Sequence, residues 1–409
     1  MNIRRLIGLL CLTIALTMIP GGVKAKESDE VLPDSSDFVK TSLMISTPAD
    51  IIYSSLGHCA IRMECPSENL DYCFSLETDV RPQDYVRFFQ GSTEAAVRAI
   101  PTESYIEEFQ SQGRGITQYE LNLNWKEKQL LWKNLDEEMM KPPHLKFNFL
   151  NTNCVMMVII MIQNALIDEQ INYVKLPSYA TCDNGNGLRQ LTTDTPWYQF
   201  IYITLSGSIC DDSFALEYRL TPLSLPEVYS GAQIEGNDGV RPLLKGQPNI
   251  ITKQTYYSKA CPITPRIMFS LLLTIIIIIT IGEWRWGWKQ APRLTDFILL
   301  TVQTLTGLLL TYTSLVSNLF AARWNWYLIP CNLLPLLILL IWGKSRSFGN
   351  VYLIYTIVLI AFILATPLSS QLDIDHQLVA TMFTVRTMSK YLQFRKVQKT
   401  LSNAGNGKM

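Results

Sequence analysis

Phe149-Leu-Asn-Thr-Asn-Cys-Val-Met-Met157 is the stretch around which the chain is organised, because it predicts a loop that runs into a helix. The three residues before the cysteine are all types that favour helix N-caps, and the apolar run 155–162 follows at once. This pattern places Cys154 in the first turn of a helix that is apolar nearly all round. Such a helix is expected to be central and buried.

A cysteine in the first turn of a helix has properties that suit catalysis. The positive end of the helix dipole lowers the pKa of the thiol and favours the thiolate. The backbone N–H groups of that turn have no partner within the helix, so they can bind an oxyanion. The alternative interpretation is that Cys154 only packs, because cysteine is among the residue types most often buried.

The composition divides the chain into two parts. Its 409 residues include 35 Lys plus Arg and 35 Asp plus Glu, so the formal net charge is zero. No Lys/Arg-rich tract is present, and nucleic acid is therefore not an expected partner. Residues 26–264 have the composition of a soluble domain, whereas residues 265–409 contain several long apolar runs. We predict a soluble domain followed by a transmembrane domain.

Residues 1–25 predict a cleaved secretory signal peptide. Two arginines, at positions 4 and 5, precede an apolar run at 6–19, and Val23-Lys-Ala25 has the small residues of a cleavage site. An uncleaved anchor is the alternative, although the apolar run is short for a full membrane span. Export would place residues 26–264 in the periplasm.

Nine cysteines occur in the chain, and seven of them lie outside the predicted apolar segments. In an exported domain some are expected to pair, and an odd number leaves at least one free. Cys59 with Cys73 and Cys182 with Cys210 are candidate pairs. Cys154 is the expected free thiol.

Four apolar runs after residue 265 have lengths near the roughly 17–25 residues that cross a bilayer. They are Ile267–Gly282, Phe297–Val316, Trp326–Trp342 and Val351–Leu368. A weaker fifth run, Leu378–Leu392, contains Arg386 and Lys390 and could lie along the membrane interface instead. Basic residues concentrate in the loops after the first and third runs, so the positive-inside rule places those loops in the cytoplasm. We predict a multi-pass protein of the bacterial inner membrane with a periplasmic N-terminal domain.

Residues 56–63 predict a strand that a second strand at 70–76 pairs with as a hairpin. The alternation places two sets of residues on opposite faces, namely Cys59, Ile61 and Met63 on one face and His58, Ala60 and Arg62 on the other. The hairpin would bring His58 near Asp71 or Ser75, depending on a register that the sequence does not determine.

Of the three histidines, His58 is the best candidate for a catalytic base. His144 lies in a Pro-containing loop and His376 in the membrane region. A nucleophilic thiol needs a base within hydrogen-bond reach, and a third group must orient that base. Asp71 is preferred as the third group, because a carboxylate stabilises imidazolium, and Ser75 is second. The competing interpretations are a structural strand histidine and a solvated aspartate in a turn.

Three polar residues are candidates for substrate contact: Arg62, Asn153 and Ser75. Arg62 is suited to a phosphate or carboxylate group, although a structural ion pair on the strand is the alternative. The sequence contains no metal-ligand spacing, and we expect neither a metal nor a cofactor.

The order of the candidate residues resembles that of the circularly permuted papain-like folds. In those folds a histidine on a strand precedes a cysteine on a helix, as His58 precedes Cys154 here. The lecithin–retinol acyltransferase-like and permuted NlpC-like families have this order. The resemblance implies an α+β class, with a circularly permuted papain-like periplasmic domain followed by an all-α bundle of four to five transmembrane helices. It also implies a thiol enzyme.

A closer resemblance is to Lnb, the lipoprotein N-acyltransferase family of Bacteroides-type bacteria. The pieces that carry it occur in the family's order: Gly57-His58-Cys59-Ala60-Ile61-Arg62, Arg114-Gly-Ile-Thr-Gln118, Leu121-Asn122-Leu123, Asn153-Cys154, Pro196-Trp197, Gly207 with Asp211, Pro222-Leu223-Ser224-Leu225-Pro226 and Arg241-Pro242-Leu243. One departure follows the cysteine, where Val155, Met156 and Met157 replace the small hydroxyl residues that the family tends to have.

The resemblance implies a reaction in which Cys154 takes an acyl chain from a membrane phospholipid and passes it to the amine of a diacylated lipoprotein. His58 would act as acid and then as base. Two other classes of function stay open. One is a membrane-tethered cysteine peptidase or peptidoglycan amidase, for which a single anchor would suffice. The other is a non-catalytic envelope assembly protein in which Cys154 packs or is disulfide-bonded.

Overall fold

The computed structural model describes residues 39–49, 54–78, 85–213, 216–236, 239–255, 261–336 and 348–406. The predicted signal peptide, residues 1–25, lies outside these ranges. So do the last six residues of the third predicted span, from residue 337. Residues from Asp37 onward form one compact unit.

An antiparallel sheet of seven strands forms the centre of the N-terminal domain, with the order β10-β5-β1-β2-β3-β4-β6. A small second sheet has the order β7-β8-β9. The strands are β1 Lys40–Ser46, β2 His58–Cys65, β3 Leu70–Thr78, β4 Glu94–Pro101, β5 Ile116–Leu121, β6 Leu145–Lys146, β7 Gln170–Tyr173, β8 Ala232–Gly236, β9 Gly239–Pro242 and β10 Leu244–Thr252. The predicted hairpin is the antiparallel pair of β2 and β3.

Helices cover both faces of this sheet. They are α1 Tyr85–Gln90, α2 Thr102–Ser111, α3 Trp125–Met139, α4 Cys154–Ala165, α5 Asn184–Leu191, α6 Pro196–Leu205 and α7 Leu225–Ser230. The central helix α4 begins at Cys154, as the sequence predicts, and its residues Val158, Ile159 and Ile162 are completely buried. Burying each such side chain stabilises the fold by about 1.5–3 kcal/mol.

The predicted alternation along β2 is confirmed by its packing. Cys59, Ile61 and Met63 belong to the main core, which the sheet forms with α3 and α4. Ala60 lies on the opposite face, in a smaller core that contains Phe109 of α2. This alternation places consecutive residues at the start of β2 on two different sides of the sheet.

The two suggested disulfides do not form. All eight cysteines in the described ranges are free thiols. Cys59 and Cys73 lie in the two different cores, on opposite faces of the sheet, so their Sγ atoms cannot meet. Cys182 and Cys210 are likewise unpaired, and the Cys182 thiol contacts the backbone oxygen of Tyr179 instead.

In the described residues after 264 there are four long helices: α8 Pro265–Trp286, α9 Gln290–Leu315, α10 Phe348–Ala365 and α11 Ile374–Asn406. Within the described residues, three helical segments of 22, 26 and 20 residues are long and apolar enough to cross a membrane. They contain the first and fourth predicted spans and all of the second except its last residue, Val316. The predicted total of four to five spans stays a prediction.

The weaker fifth run lies within α11, a helix of 33 residues. Its two cations are neutralised by two acids on the neighbouring helices. Arg386 binds Glu283 at 2.9 Å and Asp296 at 2.7 Å, and Lys390 binds Asp296 at 2.6 Å. These ion pairs explain how α11 can pack its charged residues against α8 and α9, because a paired charge costs far less to bury than an isolated one.

Helix α6 joins the membrane helices to the loop before β2. Thr204 on α6 contacts the buried His376 of α11 at 3.1 Å, and Asn325 donates to the backbone oxygen of Thr204 at 2.7 Å. On the same helix, the Tyr202 hydroxyl lies 2.7 Å from the hydroxyl of Ser55. The start of β2 is therefore held in place, through α6, relative to the membrane helices.

Candidate active site

Asn153 forms the N-cap that places Cys154 at the start of α4. Its backbone is extended, with φ −143° and ψ 176°, and its Oδ1 accepts a hydrogen bond from the Met156 N–H at 2.9 Å. Its Nδ2 donates to the backbone oxygen of Phe149 at 3.0 Å. The side chain predicted to contact substrate therefore serves the cap and the preceding loop, and a substrate contact remains a prediction.

Replacing Asn153 with alanine is expected to destabilise the protein by about 1 kcal/mol, because the cap acceptor is lost. The thermal unfolding midpoint of the full-length protein in detergent should fall by about 2–4 °C. Asn153→Asp keeps the acceptor and is the matched control, with a midpoint close to that of the wild type. Equal midpoints for the alanine variant and the wild type would contradict this role for Asn153.

Gly57 and Phe109 fix the position of His58 at the start of β2. Gly57 has φ +89°, and a Cβ there would lie 2.7 Å from the backbone oxygen of Ser46, so only glycine fits. The His58 ring stacks on the ring of Phe109 from α2, with centroids 5.7 Å apart and planes 19° apart. The imidazole is therefore held on one face by an aromatic ring.

Two side chains of β3 bind the Nε2 edge of His58. Nε2 lies 2.6 Å from the Ser75 hydroxyl and 3.4 Å from Glu77 Oε1. Continuing the β2–β3 register beyond Ile61 and Phe74 places Glu77 opposite His58. The expected contact with Ser75 is present, while the carboxylate beside the imidazole is one that the sequence reasoning did not select.

Cys154 and His58 interact, and each changes the titration of the other. The pKa of Cys154 is held well below its ordinary value by a hydrogen bond from the Cys59 thiol and by the positive charge of His58, which together outweigh burial. Burial lowers the pKa of His58, but the Cys154 thiolate and Glu77 outweigh it and raise the pKa to about 10. Both shifts favour the form of the pair in which Cys154 is a thiolate and His58 an imidazolium.

Cys59 is a hydrogen-bond neighbour of Cys154 that was not predicted from the sequence. It is completely buried in the main core, against which Cys154 also packs. Burial raises the pKa of the Cys59 thiol well above its ordinary value, so Cys59 keeps its proton and donates a hydrogen bond to the thiolate. Its position next to His58 in the chain was the only available signal.

The predicted contact between Asp71 and His58 is wrong, because the β2–β3 register places Asp71 opposite Glu64. Six residues separate Glu64 from His58, about 20 Å along a strand. Asp71 instead accepts two hydrogen bonds from Arg62, at 2.8 and 2.7 Å, and one from Thr102 at 2.6 Å. Although burial raises the pKa of Asp71, these donors lower it overall.

The ion pair with Asp71 engages Arg62, the residue predicted to bind a phosphate or carboxylate group of the substrate. Arg62 gives its Nε and Nη2 to Asp71, and its Nη1 donates to Gln118 at 3.1 Å. The guanidinium is thus engaged by groups of the sheet itself. The structural ion pair, which was the alternative interpretation of Arg62, is the one found.

Arg114 shares an aromatic contact with the histidine and is only 4 % exposed. Its guanidinium carbon lies 4.3 Å from the centroid of Phe109, the ring on which His58 stacks. Its Nε donates to the backbone oxygen of Thr47 at 2.6 Å. From the sequence, Arg114 was identified only as part of the family resemblance, without a role.

Aromatic side chains surround the loop that leads to Cys154. Phe149 makes edge contacts with three half-buried or buried rings, at centroid distances of 5.5 to 5.8 Å: Phe88, Phe147 and Tyr202. Helix α1, which contains Phe88, is tied to the membrane domain, because the Asn318 N–H donates to the backbone oxygen of Gln90 at 2.9 Å. An apolar wall therefore connects the thiol loop with the membrane helices.

Comparison with protein-family models gives two matches along the chain. Residues 34–185 match the Lnb N-terminal periplasmic domain, and residues 257–398 match the Lnb transmembrane domain. No curated protein and no solved structure gives a significant match. The first matched region contains His58, Glu77 and Cys154, and the second contains the candidate membrane helices. The chain is thus a membrane protein with a periplasmic domain.

Proposed function

This chain belongs to the Lnb family, and from that premise we propose that it transfers an acyl chain from a membrane phospholipid to the N-terminal amine of diacylated lipoproteins. Membership itself indicates a role related to lipoprotein N-acylation. The observation that carries the finer proposal is the position of Cys154 at the start of α4, where it interacts with His58 and Cys59.

The first half-reaction loads Cys154. The thiolate attacks the carbonyl carbon of a phospholipid acyl ester, and the resulting oxyanion is stabilised by N–H groups in the first turn of α4. When the tetrahedral intermediate collapses, the ester C–O bond breaks and the His58 imidazolium gives its proton to the departing lysophospholipid oxygen. A thioester on Cys154 remains.

The second half-reaction unloads the thioester. The α-amine of the diacylated lipoprotein cysteine attacks the thioester carbonyl, and neutral His58 accepts the amine proton. The C–S bond breaks, the N-acyl amide forms, and Cys154 returns as a thiolate beside the imidazolium. Ser75 and Glu77 hold the Nε2 edge of His58 through both steps, which leaves the other ring nitrogen for proton transfer.

The surroundings of the thiol support lipid substrates. Phe88, Phe147 and Phe149 offer an apolar surface suited to acyl chains. In this proposal both substrates are anchored in the inner membrane, and the contacts of α6 with the membrane helices would keep the site close to them. A peptidase or amidase acting on soluble or cell-wall substrates would have no need of this arrangement.

The test is mass spectrometry of lipoprotein N-termini from cells that lack this protein and carry a complementing copy. We expect the wild type to restore the N-linked acyl chain and Cys154→Ala to fail while being expressed at the same level. Cys261→Ala, which removes an exposed free thiol, is the matched control and should complement fully. Full N-acylation in cells without the protein would refute the proposal and favour the peptidase or amidase alternative.

A further inference from the structure

Arg114 is a buried cation whose hydrogen bonds within the described residues go only to neutral groups. Its Nε binds the Thr47 backbone oxygen at 2.6 Å, and its Nη1 lies 3.4 Å from the amide oxygen of Gln112. Its Nη2 is buried and has no hydrogen-bond partner in the described part of the chain. Arginine stays charged in proteins, and burying that charge without an anion is costly. Some other negative charge must therefore compensate it.

The aromatic ring of Phe109 connects this cation to the candidate active site. The Arg114 guanidinium lies on Phe109 at 4.3 Å, and the His58 imidazole stacks on the same ring at 5.7 Å. Burial lowers the pKa of Arg114, and this is opposed by Tyr105, by the acids Glu108 and Glu77 and by Cys154. The thiolate is therefore among the groups that interact with the guanidinium.

The other charged or titratable groups near Arg114 cannot compensate it as well. Burial raises the pKa of Tyr105 well above its ordinary value, so Tyr105 is neutral. Glu108 on α2 and Arg98 on β4, which acts on Glu77, are both exposed and are screened by water. The buried or half-buried charges that remain are those of the site itself.

These remaining charges sum to zero only when Arg114 is included. The Cys154 thiolate and the Glu77 carboxylate carry two negative charges, and the His58 imidazolium carries one positive charge. We propose that Arg114 is a positioning residue for acyl transfer: its guanidinium, held on Phe109, supplies the second positive charge and stabilises the thiolate state of Cys154. The inference rests on the proposed function in one respect, that Cys154 is the nucleophile.

The test is the pH dependence of Cys154 alkylation by iodoacetamide in the full-length protein in detergent, followed on the Cys154 peptide by mass spectrometry. Arg114→Met keeps the stem and removes the charge. We expect it to move the midpoint of the alkylation profile up by about one pH unit, which makes alkylation about tenfold slower below the midpoint. Arg114→Lys keeps the charge and should retain most of the wild-type profile. Lys133→Met removes an exposed cation of α3, far from the site, and is the matched control, with an unchanged profile.

A wild-type profile in folded Arg114→Met overturns the inference, because a purely structural role would leave the titration unmoved. Arg114→Gln, which keeps a donor for the Thr47 oxygen, is the second neutral variant if the methionine variant does not fold, and the same criterion applies to it. Alkylation does not require acyl transfer, so the two proposals fail separately. An ordinary pKa for Cys154 in the wild type would remove the proposed nucleophile, whereas a low wild-type pKa unaffected by Arg114 would remove only this inference.

Discussion

His58→Gln is expected to lower the rate of thioester formation on Cys154 by about 10²–10⁴, the range that general acid–base catalysis contributes. The variant keeps a polar side chain beside Ser75 but cannot carry the proton to the lysophospholipid oxygen. It also removes the positive charge that helps to hold the pKa of Cys154 down. The measurement is the time course of acyl-enzyme formation with a phospholipid donor, followed by mass spectrometry of the intact protein.

The rate of thioester formation should also depend on pH in a way that differs between the wild type and His58→Gln. In the proposed mechanism, thioester formation by the wild type needs the thiolate and the imidazolium together. Its rate should rise as the pH passes the lowered pKa of Cys154, stay level through neutrality, and fall as His58 loses its proton near its pKa of about 10. In His58→Gln the rising limb should move to higher pH, towards the ordinary pKa of a thiol, and the falling limb near 10 should disappear.

His144→Gln is the matched control for this experiment. His144 is an exposed histidine whose Nδ1 lies 3.0 Å from the backbone oxygen of Pro142. It has no role in the proposed mechanism. We expect its rate and its pH profile to equal those of the wild type. If His58→Gln formed the thioester at the wild-type rate, His58 would not be the acid and the two-step mechanism would be wrong.

Glu77→Gln is expected to slow acyl transfer on the order of 10²-fold, whereas Asp71→Asn should leave the rate within about threefold of the wild type. Glu77 lies 3.4 Å from His58 Nε2 and favours the imidazolium. Replacing it by an amide removes the negative charge but keeps the shape. The loss should be smaller than the 10⁴ seen when the carboxylate of a serine-protease triad is replaced, because Ser75 still binds Nε2 at 2.6 Å.

The comparison of these two acids distinguishes the sequence-based choice from the structural one. Asp71 is bound to Arg62 and Thr102. Asp71→Asn should therefore lower the thermal unfolding midpoint of the protein while leaving the rate of acyl transfer close to that of the wild type. The measurement is kcat and KM for acyl transfer together with the unfolding midpoint of each variant. If Asp71→Asn lost much of its acyl-transfer rate and Glu77→Gln lost little, Glu77 would not be the carboxylate that supports His58.

Much of the site could be predicted because it depends on local chemistry. Three N-cap residue types before an apolar run were sufficient to place Cys154 at the start of a helix, and helix α4 begins there with Asn153 as its cap. Strand alternation assigned Cys59 and Ala60 to opposite faces, and the two cores follow it. Hydrophobic periodicity and helix capping depend on residues only a few positions apart, so both can be predicted from the sequence alone.

The partners of those residues could not be predicted in the same way. Asp71 and Glu77 lie on one strand, and only the β2–β3 register decides which of them meets His58. A shift of one residue would reverse the faces of every side chain, and the register is set by packing across the whole sheet rather than by the hairpin residues. For the same reason the suggested Cys59–Cys73 disulfide was wrong.

The sequence by itself determined that this protein has a thiol at a helix N-terminus, a histidine on an earlier strand, and apolar helices after residue 264. These features depend on residue type and on the spacing of apolar residues over a few positions. Only the tertiary structure decided that Glu77 rather than Asp71 accompanies His58, that Cys59 donates to Cys154, and that Arg114 lies over the Phe109 ring. Those contacts join residues far apart in the chain, and they exist because the packing of the sheet against α2 and α4 brings their side chains together.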